Sequence, residues 1–196
     1  MNEPLPLLMG RRVLLREPRA DDAEAVFLYS SDPEVTRFLA FETPADLDET
    51  LAFLARCLEF RRQDREYVFI IADVKGDRPL GVTGLRHIEL PMRTAQIGSW
   101  VARAHWGSGA NAEAKRLLLN YAFGSLGLHR VEARIAIDNL RSRRAFEKLG
   151  GVREGTLRES FFKDGVFYDQ DLFAILSQDW KSSSNGSRPP NPKSRA

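Results

Sequence analysis

The chain has 196 residues, 43% of them hydrophobic and 29% charged, with 29 Lys and Arg against 27 Asp and Glu for a formal net charge of +2. That length predicts one globular domain with enough chain for a sizeable core. The near-even charge excludes nucleic-acid binding by bulk electrostatics, and no segment approaches the roughly 20 apolar residues that span a bilayer.

Residues 1–10 read as an N-terminal arm, with no charged segment leading into a long apolar run, so the expected location is the cytoplasm. Arg12 to Arg16 reads as a strand. Ala20-Asp21-Asp22 then starts a helix through Tyr29, with its carboxylates where the helix dipole favours them, and Pro33 opens a short helical piece. From Pro44 to Gln63, Leu47, Leu51, Leu54 and Leu58 keep helical spacing, with acidic residues early and arginines late. Cys57 falls in this apolar pattern and reads as a small buried hydrophobe; as the one cysteine, it excludes an intrachain disulfide and a cysteine-based metal site. The three histidines, His87, His105 and His129, lack metal-ligand spacing, so no metal is expected.

The period then changes. Tyr67–Val74 and Leu80–Leu90 read as strands around a turn at Lys75–Pro79, followed by a strand over Ala95–Val101. A helix is predicted over Ala112–Leu126 with Gly127 as its cap, then a strand over Val131–Ile137. Asn139 to Leu149 reads as a helix stopped by Gly150, and a last hairpin, Val152–Phe161 and Phe167–Leu176, turns at Lys163-Asp164-Gly165. The order predicts an α/β (α+β) domain over 11–180, a mixed and mostly antiparallel sheet with helices on both faces. Residues 181–196, rich in Ser, Pro and Asn, read as a disordered basic tail with no aromatic residue to stack on bases.

The most informative stretch is Ser99 to Gly150. A turn of small residues feeding a helix start is an anion site, because helix-terminal N–H groups lack partners and the dipole adds positive potential. Ile97-Gly98 and Trp100, Trp106-Gly107-Ser108-Gly109, Asn111 with Glu113-Ala114-Lys115, Leu126 to Val131, Asn139 with Ser142, Glu147 to Gly150 and Arg153-Glu154-Gly155 occur in that order. This set resembles the GNAT superfamily of acyl-CoA-dependent N-acetyltransferases, and within it the ribosomal-protein-alanine N-acetyltransferase branch. The resemblance covers about residues 10 to 180.

It implies a twisted sheet whose central parallel strand pair splays apart around acetyl-CoA, used as co-substrate. The backbone of Ser99, Trp100 and Val101 would bond the pantetheine arm. Gly107, Ser108, Gly109, Ala110, Asn111 and Ala112 would face the pyrophosphate, the two glycines admitting a close backbone approach. Asn111 has a second reading as a helix cap. Asn139 would both cap its helix and touch the cofactor, with Phe146 bordering the pantetheine arm. Arg141, Arg143 and Arg144 read first as a solvated basic face, and second as a 3′-phosphate contact.

The chemistry implied is attack of a neutral primary amine on the thioester. An oxyanion would be held by a strand N–H near Val101, and a proton supplied to the departing thiolate. Many relatives supply that proton from a tyrosine where this chain has Phe146, which cannot donate. Ser142 matches a serine proposed for this role in the branch. A glutamate common before the Ile-Gly pair is Gln96 here, which leaves His87 and Glu89 as candidates for the base, with Glu159, Tyr168 and Asp169 behind them. The acceptor is expected to be a protein N-terminal α-amine or a small-molecule amine, and the chain a monomer or homodimer. A second reading keeps the cofactor and drops the chemistry: an acyl-CoA-binding or sensing module, suggested by Gln96 and Phe146.

Overall fold

A computed structural model describes residues 4–184, with side chains to residue 180. Eight strands form one sheet in the order β1-β2-β3-β4-β5-β6-β8-β7. They are β1 (Leu8–Met9), β2 (Val13–Arg16), β3 (Tyr67–Asp73), β4 (Pro79–Glu89), β5 (Thr94–Val101), β6 (Arg130–Ala136), β7 (Val152–Lys163) and β8 (Val166–Leu176). Every neighbouring pair is antiparallel except β5 and β6. The helices are α1 (Ala23–Ser30), α2 (Pro33–Thr36), α3 (Leu47–Arg62), α4 (Ala110–Asn120), α5 (Leu140–Glu147) and α6 (Ser177–Ser184).

Two apolar layers follow from side-chain alternation along the central strands. On one face, Phe69 and Ile71 of β3, Ile97 and Val101 of β5, and Val131, Ala133 and Ile135 of β6 meet Ala114 and Leu118 of α4 and Phe146 of α5. On the other, Val68 and Ile70 of β3, Val82 of β4 and Trp100 of β5 meet Val26 of α1 and Leu54 and Cys57 of α3. β3 is apolar on both faces because helices cover both, which explains its unbroken run Tyr67-Val-Phe-Ile-Ile-Ala72.

The strands approach closely at two glycines of β4. A Cβ on Gly81 would lie 2.2 Å from the Trp100 carbonyl oxygen, and one on Gly84 would lie 2.8 Å from that of Tyr67. Arg16 at the end of β2 is buried and bidentate to Asp22 at 2.7 and 2.8 Å, and it also reaches Asp77 at 2.5 Å. This charge cluster locks β2 and the turn that follows it to the distant β3–β4 turn, and it raises the Arg16 pKa above its ordinary value, through the Asp22 hydrogen bond first.

The sequence expectations shift in four places. The arm contributes β1, paired to Leu14 and Leu15 of β2. α4 begins at Ala110 rather than 112, and it closes in a π turn over Tyr121–Ser125 before Gly127, whose φ of +63° ends it. The last hairpin is longer than predicted, turning on Asp164 and Gly165 with φ of +50° and +79°. α6 carries the backbone into 181–184, the start of the expected tail; the rest of that tail lies outside the described residues.

Candidate active site

β5 and β6 are held together at only three positions, Thr94↔Arg130, Ala95↔Val131 and Gln96↔Glu132. Both strands continue, β5 to Val101 and β6 to Ala136. Past Gln96 they have no register with one another, so the edge of β5 over residues 97–101 that faces β6 has lost its strand partner. Its other edge stays bonded to β4, where Thr83, Val82 and Gly81 face Ser99, Trp100 and Val101. The result is a fork, closed at Gln96 and open toward the β5–α4 turn.

At the open end the backbone is shaped by the two glycines. Gly107 and Gly109 have φ of +77° and +86°, and Gly109 is the N-cap of α4. The Ser108 hydroxyl donates to the His105 carbonyl at 2.7 Å and accepts from Ala110 N at 3.2 Å, while its carbonyl takes Arg12 Nη1 at 2.5 Å. Asn111 is the second residue of α4 and not its cap. Its Oδ1 is buried without a partner, as is the Ser99 hydroxyl on β5. Two orphaned polar atoms on facing elements are what a groove built for a polar chain presents, since buried polar groups are otherwise paired.

The second wall of the fork is α5. The Asn139 side chain accepts from Ser142 N at 3.1 Å, an N-cap that fixes the entry of this helix. Phe146 is fully buried and packs edge-to-face on Phe173 with centroids 6.2 Å apart. Of the expected basic face, Arg143 pairs with Glu147 and Asp171. Arg141 lies over the Trp106 ring at 3.3 Å, and Trp106 in turn donates its indole N–H to the Val101 carbonyl at 3.0 Å. Desolvation there pulls the Arg141 pKa below the ordinary arginine value, with Glu34 opposing. This stack ties α5 to the β5–α4 turn across the mouth of the fork.

The structure sets His87 and Glu89 apart from that turn. β4 is antiparallel to β5, so its end lies beside Thr94, where β5 and β6 still pair; both residues are exposed, and His87 sits at a bulge with φ of +49°. Glu159 is likewise exposed at a bulge of β7, its N–H bonded to Asp169 Oδ1.

What sequence reasoning missed is a row of polar residues across the sheet at the closed point of the fork. Arg86 faces Gln96, Gln96 faces Glu132, and Glu66 precedes Tyr67, which faces Leu85. Cross-strand partners share a face, here the one that carries Trp100. On it opens a cavity of about 490 Å³ lined by Glu66, Arg86, Trp100, Phe41, Phe53 and Phe60, among others. Glu42 at its rim is paired with Lys163 at 2.9 Å, and Glu49 accepts from Ala45 N at 3.0 Å. Glu66 has no such partner among the described residues. Cys57 also lines the cavity, but burial pushes its thiol up to about 12, which keeps it protonated and inert. The missed signal was the register: Glu66 lies outside the strand pattern, and only sheet pairing brings it level with Gln96.

The sequence family described as an acetyltransferase (GNAT) domain matches residues 12–152. The chain is a GNAT acetyltransferase. Among its relatives, the Bacillus subtilis (strain 168) protein named "Uncharacterized N-acetyltransferase YoaA" is 29% identical over 171 residues, 87% of this chain and 97% of that one. From the same organism, "Probable N-acetyltransferase YjcK" is 33% identical over 178 residues, 88% of this chain and 98% of that one. The GNAT fold is equally clear in the spermidine N-acetyltransferase of Vibrio cholerae, solved with CoA and spermine, at a TM-score of 0.77 and 23% identity over 86% of this chain and 98% of that one. This GNAT chain is therefore an N-acetyltransferase with a mixed sheet and one parallel strand pair.

Proposed function

We propose that the chain moves the acetyl group of acetyl-CoA to a primary amine by direct attack on the thioester, with the fork as the cofactor site and the 490 Å³ cavity as the acceptor site. The observation that carries this is the three-position pairing of β5 with β6. It leaves a backbone edge for the pantetheine amides that ends in a turn with αL glycines and the N-terminus of α4. The orphaned Ser99 hydroxyl and Asn111 Oδ1 fit the same ligand, and the solved relative with CoA and spermine supports both a CoA ligand and an amine acceptor.

In this reading Ser99, Trp100 and Val101 bind the arm, Gly107 to Ala112 hold the pyrophosphate, and Asn139 and Phe146 form the second wall. Ser142, in the first turn of α5 and one turn before Phe146, would border the cofactor from the same wall. Glu66 replaces His87 and Glu89 as the carboxylate that draws the acceptor's ammonium in and takes its proton, directly or through water. The apolar lining from Phe41, Phe53, Phe60 and Trp100 favours an acceptor with an apolar group next to its amine, either a small molecule or an N-terminal residue.

A screen of amine metabolites and N-terminal peptides, read by released CoA thiol, tests this. Turnover is expected with at least one apolar primary amine, and Glu66→Gln should lower kcat/KM by about 100-fold, within the usual range for a lost base. Tight acetyl-CoA binding without turnover on any amine would instead favour the sensing module.

A further inference from the structure

Lys115 is a buried titratable group beside the fork, between α4 and α5, to which the proposed transfer gives no role. It lies on α4 four residues after Asn111, on the same helix face, where i and i+4 side chains are neighbours. It is 94% withdrawn from solvent, being only 6% exposed. Its ammonium makes no hydrogen bond or ion pair among the described residues, and stands 5.8 Å from the centre of the Phe146 ring on α5. A lysine is rarely buried without a carboxylate.

The carboxylates on α4, α5, β6 and β8 are engaged elsewhere, Glu132 of β6 by Arg130, while Arg116 of α4, Arg134 of β6 and Arg144 of α5 add only positive charge to these elements. Glu113 of α4 accepts from the backbone N–H groups of Arg11 and Arg12, and Arg12 binds the Ser108 carbonyl. On α5, Glu147 pairs with Arg143, and Asp171 of β8 is held by Arg153 and Thr156. The ammonium is thus a lone donor among the described residues, between the two helices that flank the fork and against the Phe146 ring.

We propose that Lys115 is the general acid of the transfer, giving its proton to the sulfur as CoA departs. The inference rests on the acetyltransfer reading. The amine nitrogen forms the C–N bond, the C–S bond breaks with its electron pair on sulfur, and an Nζ–H proton of Lys115 moves to that sulfur to give the free thiol. The amine's own proton leaves toward Glu66, and the neutral Lys115 amine is reprotonated from water. Desolvation lowers the Lys115 pKa to about 8 in the ligand-free chain, close to that of an ordinary thiol, near 8.5, which is the matching a general acid needs.

Lys115→Met and Lys115→Arg, purified as full chains and checked for folding by their thermal shift with acetyl-CoA, test this. Both should keep the KM for acetyl-CoA within about threefold and lose roughly 100-fold in kcat, the low end for general acid catalysis because a thiolate leaves readily. The wild-type kcat/KM for acetyl-CoA, which reports the free enzyme, should fall above about pH 8, and that alkaline limb should vanish in Lys115→Met. Independently of turnover, ultraviolet absorbance should show the thiol of bound CoA ionising at lower pH on the wild type than on Lys115→Met. A raised KM with unchanged kcat, or identical thiol titrations, would overturn the role while leaving the acetyltransferase reading intact. Failure of the wild type to bind acetyl-CoA would remove both.

Discussion

Lys115 and Asn139 show how single residues carry opposite burdens. Burial lowers the Lys115 pKa from 10.5 to about 8. In the unfolded chain the lysine binds its proton up to 10.5, so the folded state is penalised below pH 8 and relieved as pH rises between the two values. Lys115→Met should therefore stabilise the ligand-free protein at pH 7, by an amount of order 3 kcal/mol from the shift alone, and the gain should shrink toward pH 10. Urea denaturation of both proteins at the two pH values checks this; a gain independent of pH would place the cost in packing rather than charge. Asn139 works the other way. Its side chain satisfies Ser142 N, so Asn139→Ala should cost about 1 kcal/mol, read as a lower midpoint in the same experiment, whereas Asn139→Asp should keep the cap.

At the scale of elements, the turn before α4 and the lock at the end of β2 matter most. Gly109 has φ of +86° and caps α4, and an L side chain there costs roughly 1–2 kcal/mol. Gly109→Ala should weaken acetyl-CoA binding by about tenfold, measured by calorimetry, with little effect on the acceptor KM. The Arg16–Asp22 pair is buried on both sides, at 7% and 3% side-chain exposure. Asp22→Ala would leave the buried guanidinium with the half-exposed Asp77 as its remaining carboxylate and should cost up to about 3 kcal/mol, seen as a drop in the thermal midpoint.

These elements also mark what the sequence could and could not tell. The glycines, the Asn139 cap and the αL stop at Gly150 were legible because each residue type answers a local backbone demand, and Gly150 does adopt φ of +95°. That His87 and Glu89 lie at the end of β4 beside Thr94, away from the β5–α4 turn, was not legible, because strand direction decides it. Nor was the position of Glu66 level with Arg86 and Gln96, which depends on pairing across three strands. Lys115 was legible only as part of a motif; its isolation from any carboxylate is a tertiary fact.

Across the whole molecule, the same sheet that buries two apolar layers also opens one gap, and the gap is where β5 and β6 stop pairing. The proposed cofactor groove and acceptor cavity lie on opposite faces of the sheet, the first on the side of α4 and α5, the second on that of α1 and α3 with Trp100 of β5 in its lining. A ligand in the fork would restore the missing backbone partners of β5, so it should bind the native state alone and raise its stability. A hundredfold excess of acetyl-CoA over Kd corresponds to about 2.7 kcal/mol. The most direct measurement is therefore calorimetric titration of the full chain with acetyl-CoA, repeated on Gly109→Ala. One site per chain, with affinity reduced about tenfold in the variant, is the expected result. No heat of binding with the wild type, or equal affinity in both proteins, would contradict the assignment of the fork as the acetyl-CoA site.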